Sequence, residues 1–140
     1  NMFFAWCNGD ACIEDATQRS DFCGWALNCG GEIIDKFIQK FNIAYDEKVN
    51  DPMASVRGFK EHYLETILSD TFGMAGLELI RRTVGMANVK DITSIKDDIK
   101  RTKYERIIIT AAKRLIKERN NIKDGNMYLK ILSDCIRSQQ

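Results

Sequence analysis

The sequence predicts an all-α fold. Apolar residues recur at three- and four-residue steps along most of the chain, and no stretch shows the strict alternation of a half-buried strand. Proline occurs once, at Pro52. With no internal repeat or low-complexity tract, residues 1–140 read as a single helical segment of about six or seven helices joined by short connections.

Taken in order, "NMFFAWC" (1–7) has the look of the end of a buried helix. It lacks the basic flank and small-residue cleavage site of a signal peptide. It starts in mid-pattern and without methionine, so the expectation is that Asn1 is not the natural start and that the chain is a fragment. "CNGDACIED" (7–15) carries turn residues and reads as a polar loop. Ser20 or Asp21 is positioned to cap a helix over residues 22–45. Its apolar members Phe22, Trp25, Leu27, Ile33, Ile34, Phe37, Ile38 and Phe41 follow helical spacing. Gly30 and Gly31 each cost about 1 kcal/mol relative to alanine inside that pattern, which allows a kink or break.

Residues 45–55 read as a connection. The next helix puts Val56, Phe59, Tyr63, Leu64, Ile67 and Leu68 on one broad face and His62 on the opposite, solvated side. Ser69 or Asp70, both good caps, punctuates the chain before a further helix over 70–88. Residues 88–98 form a loop with room for one helical turn. Residues 99–121 are the clearest amphipathic helix: Tyr104, Ile107, Ile108, Ala111 and Leu115 face inward, while Lys103, Arg106, Lys113 and Lys117 face out. A last short helix holds Met127, Leu129, Ile131, Leu132 and Ile136.

Composition narrows the function classes. A net charge of +1 gives no global basic field for nucleic acid or an anionic membrane surface. No apolar run approaches the ~20 residues needed to span a bilayer. The expectation is therefore neither a nucleic-acid nor a membrane partner. The five cysteines, Cys7, Cys12, Cys23, Cys29 and Cys135, include no C-x-x-C pair, and His62 is remote from them. That spacing does not make a zinc site. It reads as free thiols in a cytoplasmic protein.

The residues that ask for an explanation are Arg81 and Arg82, adjacent in a glycine- and alanine-rich helix. On a helical wheel Phe72, Ala75, Gly76, Leu79, Ile80, Thr83 and Ala87 form a wide apolar sector. Arg82 flanks that sector and Arg81 lies on the far side. Met74 and Met86 make the helix apolar nearly all round, the pattern of a buried helix. Glu78 lies four residues before Arg82, in the favourable acid-before-base order, whereas Arg81 has no i±4 acid. A bland reading makes both arginines structural ion-pair or interhelical groups. The functional reading makes them a forked donor set for a polyhydroxylated or anionic small molecule.

The stretch "DTFGMAGLELIRRTVGMANVKDITSI" (70–95) resembles the C-terminal signature of the S-methyl-5-thioribose kinase family. The shared features are a glycine- and alanine-rich helix, a double arginine, and a tail formed here by Val89, Asp91, Ile92, Ser94 and Ile95. "FKEHYLETILSD" and the helix after "IKDD" fit the family's order of elements, and "NMFFAWC" is similar to the helix after its metal-binding loop. The likeness covers most of the chain and is loose before residue 53 and after residue 120. It implies the helical C-terminal part of the C-lobe of a protein-kinase-like fold. It also implies an ATP- and Mg²⁺-dependent kinase that phosphorylates the 1-hydroxyl of methylthioribose in methionine salvage. In this family the assembly is a homodimer, and Arg81 and Arg82 would bind the sugar. Asn88 stands where the family usually has histidine, which puts any acid–base role at that position in doubt.

The parts that phosphoryl transfer needs are not visible in the sequence. There is no glycine-rich phosphate loop and no "HGD"-type catalytic loop, since Tyr63 and Leu64 follow His62. The expectation is that the N-lobe and catalytic loop lie upstream. The chain then holds no catalytic, cofactor-binding or metal-binding residue, binds neither ATP nor Mg²⁺ by itself, and is inactive alone. A competing expectation is a small helical interaction or dimerisation module, with the arginines as interface anchors. A metal or redox protein built on the cysteines is a third.

Overall fold

A computed structural model describes residues 1–139. Among them are six α-helices and no strand, which establishes the all-α class. The helices are α1 (Met2–Cys12), α2 (Ala16–Lys48), α3 (Phe59–Val84), α4 (Lys90–Thr93), α5 (Asp98–Glu118) and α6 (Gly125–Arg137). Short 3₁₀ turns occupy Pro52–Ser55 and Arg119–Asn121. No helix is long and apolar enough to cross a membrane among the described residues.

The amphipathic helix α5 is the centre of the bundle. It packs most extensively on α3 and also touches α6, α1 and α4. Its inward face is the expected one, Tyr104, Ile107, Ile108, Ala111 and Leu115, joined by Ala112. Phe4, Ile95, Ile122 and Leu132 close the core around it. Asp97 caps α5, accepting from the Ile99 and Lys100 N–H groups.

The α3–α5 crossing is close because Gly76 has no side chain. A Cβ there would sit 2.7 Å from the Ala112 carbonyl oxygen and from Ile116 Cγ1. One turn earlier, a Cβ on Gly73 would meet only the Arg119 side chain, at 3.4 Å.

Three expected boundaries are corrected. First, most of "CNGDACIED" is helical, because α1 continues to Cys12 and leaves only residues 13–15 as the connection. Its polar residues have distant partners: the Tyr104 hydroxyl donates to Asp10 at 2.8 Å, and Asn8 Nδ2 donates to the Asp91 carbonyl at 2.6 Å. Second, α2 starts earlier than Ser20 and runs unbroken through Gly30 and Gly31. Asp15 is its cap, accepting from the Gln18 N–H. The two glycines admit α6: a Cβ on Gly31 would lie 2.8 Å from Leu129 Cδ1, and one on Gly30 would lie 3.1 Å from Tyr128 Cε1. Asp35 then accepts the Gly125 N–H at 2.8 Å, satisfying an orphan donor at the start of α6.

Third, Ser69 and Asp70 do not begin a helix. They lie inside α3, and the Ser69 hydroxyl donates to Asn120 Oδ1 at 2.6 Å. Val56 falls outside α3 and is exposed. The helix begins after Gly58, whose φ of 81° is a left-handed conformation that suits glycine. Nor is the arginine helix buried all round. Met74, Leu77 and Val84 are exposed on its outer face, and Met86 and Ala87 lie beyond its end.

The five cysteines are unpaired. Burial pushes the thiols of Cys7, Cys23 and Cys135 above their ordinary range. Burial, followed by the Asp10 carboxylate, does the same to the Tyr104 hydroxyl.

The Gly76 contact gives a contrast of two substitutions. Gly76→Leu should destabilise the chain by about 1–3 kcal/mol, the usual range for overpacking, because a backbone carbonyl cannot step aside. Gly73→Ala should be close to neutral, since only the flexible Arg119 side chain has to give. Urea denaturation midpoints of the two variants measure the difference, and equal midpoints would contradict the close crossing.

Candidate functional site

The last turn of α3 carries the two arginines, and the segment after it leads to α4. The placement is physically favourable, because cations at a helix C-terminus interact well with the helix dipole. Arg82 lies on the flank toward the bundle and is one-third exposed, whereas Arg81 is more than half exposed on the outer side. This agrees with the helical wheel.

The ion pairing differs from the i,i+4 expectation. Glu78 holds Arg81, not Arg82, as its main partner. Arg81 Nε donates to Oε2 at 2.7 Å and Nη2 donates to Oε1 at 2.6 Å, a two-pronged pair. Arg82 Nη1 is 3.7 Å from Oε1, beyond hydrogen-bonding reach. The i+3 residue therefore takes the shorter contacts to the carboxylate, and Arg82 makes a looser ion pair with it. The Arg82 Nε is buried and has no hydrogen-bond partner. A buried guanidinium donor without an acceptor is costly.

The start of α1 and the α4 turn complete the surroundings. Asn8 ties α1 to α4 through the Asp91 carbonyl and the Ser94 hydroxyl, at 2.6 and 3.0 Å. Sequence reading missed Asn8 and the Glu78–Arg81 pair. An i,i+3 search would have found the pair, but nothing local pointed to Asn8. Asn88 is exposed in the connection between α3 and α4.

The chain is similar to known proteins. It is 40% identical over 85 residues to a methylthioribose kinase of Enterobacter sp. (strain 638), a match spanning 61% of this chain and 21% of the relative. It is 37% identical over 124 residues to that of Erwinia tasmaniensis, spanning 89% and 31%. It is 32% identical over 118 residues to that of Klebsiella pneumoniae (strain 342), spanning 83% and 29%. The chain belongs to the methylthioribose kinase family. It spans about a third or less of the length of the curated relatives it matches. No family model matches it.

Other features lie away from the two arginines. His62 is exposed and stands about 30 Å from Arg82 along α3, at about 1.5 Å per residue. A groove of about 570 Å³ lies at the opposite end of α3, lined by Phe41, Tyr45, Met53, Phe59 and Tyr63 among others. Among the described residues no group of three or more His, Cys, Asp or Glu is placed to hold a metal ion.

The Arg81 hydrogen bonds hold the Glu78 carboxyl below the ordinary glutamate range, with Arg82 adding through its charge. A depressed folded-state pKa means that this pair's stabilisation is present above the unfolded pKa. It is lost as pH falls through the folded value. Carbon-detected NMR titration of Glu78 should show Arg81→Ala returning the carboxyl toward an ordinary glutamate and Arg82→Ala moving it less. The reverse ranking would contradict the pairing described.

Proposed function

We propose that the chain is the C-terminal helical part of the C-lobe of an ATP-dependent methylthioribose kinase, with Arg81 and Arg82 at its sugar site. Residues 1–140 act as one helical segment, and the N-lobe and catalytic loop belong to the remainder of the enzyme. The observation that carries this reading is the pair of adjacent, partly exposed guanidinium groups in the last turn of α3, inside a chain related to kinases of that name.

In this reading the enzyme transfers the γ-phosphoryl group of ATP to the 1-hydroxyl of S-methyl-5-thioribose, in cytoplasmic methionine salvage. The guanidinium groups orient the sugar hydroxyls and offset negative charge near the phosphoryl group in flight. Nucleotide and Mg²⁺ are held by the remainder of the enzyme, so the isolated chain does not turn over. The enzyme is a homodimer whose small-molecule partner is the sugar, with no nucleic-acid or membrane partner. Asn88, polar and exposed in the connection after α3, keeps a hydrogen-bonding or capping role without a titratable ring.

A second reading has its own support. Met74, Leu77 and Val84 expose an apolar strip on the outer face of α3, as an association module would. In that case the arginines anchor an interface. Sedimentation of Arg81→Ala and Arg82→Ala variants would then show an altered oligomeric state.

In the full-length enzyme the double variant Arg81→Ala/Arg82→Ala should lower kcat/KM for the sugar by about 100-fold or more, the scale of losing preorganised donors. KM for ATP should stay unchanged. Unaltered sugar kinetics, or sugar-dependent ATP turnover by residues 1–140 alone, would defeat the kinase reading.

A further inference from the structure

Along α2 the residues Trp25, Cys29, Ile33, Phe37, Phe41 and Tyr45 follow one another at steps of four. Residues four apart stack on one face of a helix, so the six form a ridge inclined to the helix axis. Trp25, Ile33 and Phe37 are 56%, 59% and 42% exposed. The ridge runs on into an aromatic cluster: the Phe37 and Phe41 ring centroids are 6.1 Å apart, and Phe41 is 6.0 Å from the half-exposed Tyr63 of α3. The rest of the bundle leaves this ridge open. α2 packs on α1 and α6 and barely on α3. Its seat for α6 lies at Gly30, Gly31 and Asp35, and from residue 32 to residue 44 no position is buried.

We infer that a second copy of the chain docks on this ridge, antiparallel and related by a two-fold axis. The inference takes from the reading above only that the full-length enzyme is a homodimer, and adds the surface that makes it. The ridge is self-complementary, as a two-fold contact requires. An axis near residue 35 sets Ile33 of one copy against Phe37 of the other, and Cys29 against Phe41. Ridges of this kind interdigitate at a crossing angle of about −50°, the commonest class of helix packing.

The charges beside the ridge fit the same axis. Glu32, Lys36 and Lys40 form the neighbouring row and are exposed. Among the described residues none of the three makes an ion pair. The axis brings Glu32 of each copy level with the gap between Lys36 and Lys40 of the other, which gives a complementary rim. The area is also sufficient. An aromatic side chain buries about 150–250 Å², so the exposed parts of Trp25, Ile33, Phe37 and Tyr63 present on the order of 400 Å² of apolar surface. A standard interface takes roughly 800 Å² from each partner, somewhat over half of it apolar.

Sedimentation velocity of the full-length enzyme over a concentration series tests the inference. Ile33→Asp and Phe37→Asp should each raise the dimer dissociation constant by about 30-fold or more, the scale of losing a central interface anchor. Far-UV circular dichroism should stay unchanged, because both side chains are exposed in the single chain. Glu32→Lys should raise the constant by about tenfold through repulsion between lysines. Adding Lys36→Glu and Lys40→Glu to it should restore the constant to within about threefold of wild type, since reversing both signs on one chain rebuilds the pairs across the axis. That rescue separates an interface from a loss of fold, and its failure overturns the antiparallel pairing. A dimer that none of the single variants weakens overturns the inference and leaves the sugar-site reading standing. Aspartate variants that lose their helicity overturn it too, because the enzyme's own remaining chain then covers the ridge. A wild-type enzyme that sediments as a monomer defeats this inference together with the homodimer, and the arginine kinetics still decide the sugar site.

Discussion

The close passage of α3 over α5 at Gly76 is the constraint on which the other placements depend. A backbone carbonyl of one helix lies where a side chain of the other would be. That contact sets the separation of α3 and α5, the most extensively packed pair of helices, and the remaining elements close around α5. Ser69 and Asn120 continue the same seam through a hydrogen bond. With α3 held against α5 in its middle, the place of its last turn, which carries the arginines, is fixed. The arginines thus stand on a rigid element instead of a loop, an arrangement that suits precise recognition.

Local sequence pattern revealed α5 well, because its apolar face obeys one periodicity and its charged face is solvated. It misled wherever a polar or glycine residue served a tertiary purpose. Asp10 and Asn8 look like turn residues but bind Tyr104 and the α4 turn. Gly30 and Gly31 look like a break but are a seat for α6. Ser69 looks like a cap but bonds across to Asn120. In each case the partner is at least 50 residues away, and no window of local pattern can include it.

The arginine pair was visible as a type and a position, but its electrostatics were not. The wheel placed the two side chains on different faces correctly. It treated i+4 pairing as decisive, although side-chain reach allows i+3 equally. The structure resolves that competition in favour of Arg81. The inner arginine is left with an unsatisfied donor, and that distinction gives two identical neighbours unequal chemistry. Exposure keeps the stabilising value of the Glu78 pair small, as for most surface ion pairs. Its importance lies in how it disposes the charges.

The burial of the cysteines carries a consequence for oxidative damage. Thiolate is the species that oxidants and alkylating agents attack, and burial of Cys7, Cys23 and Cys135 suppresses it. Cys12, at the last position of α1, is the exposed thiol of the set. Sulfenic acid or a mixed disulfide with a small thiol would therefore form first at Cys12. The lesion would fall at the far end of α1 from Arg82, so the chain can absorb a first oxidation without changing its charged helix end.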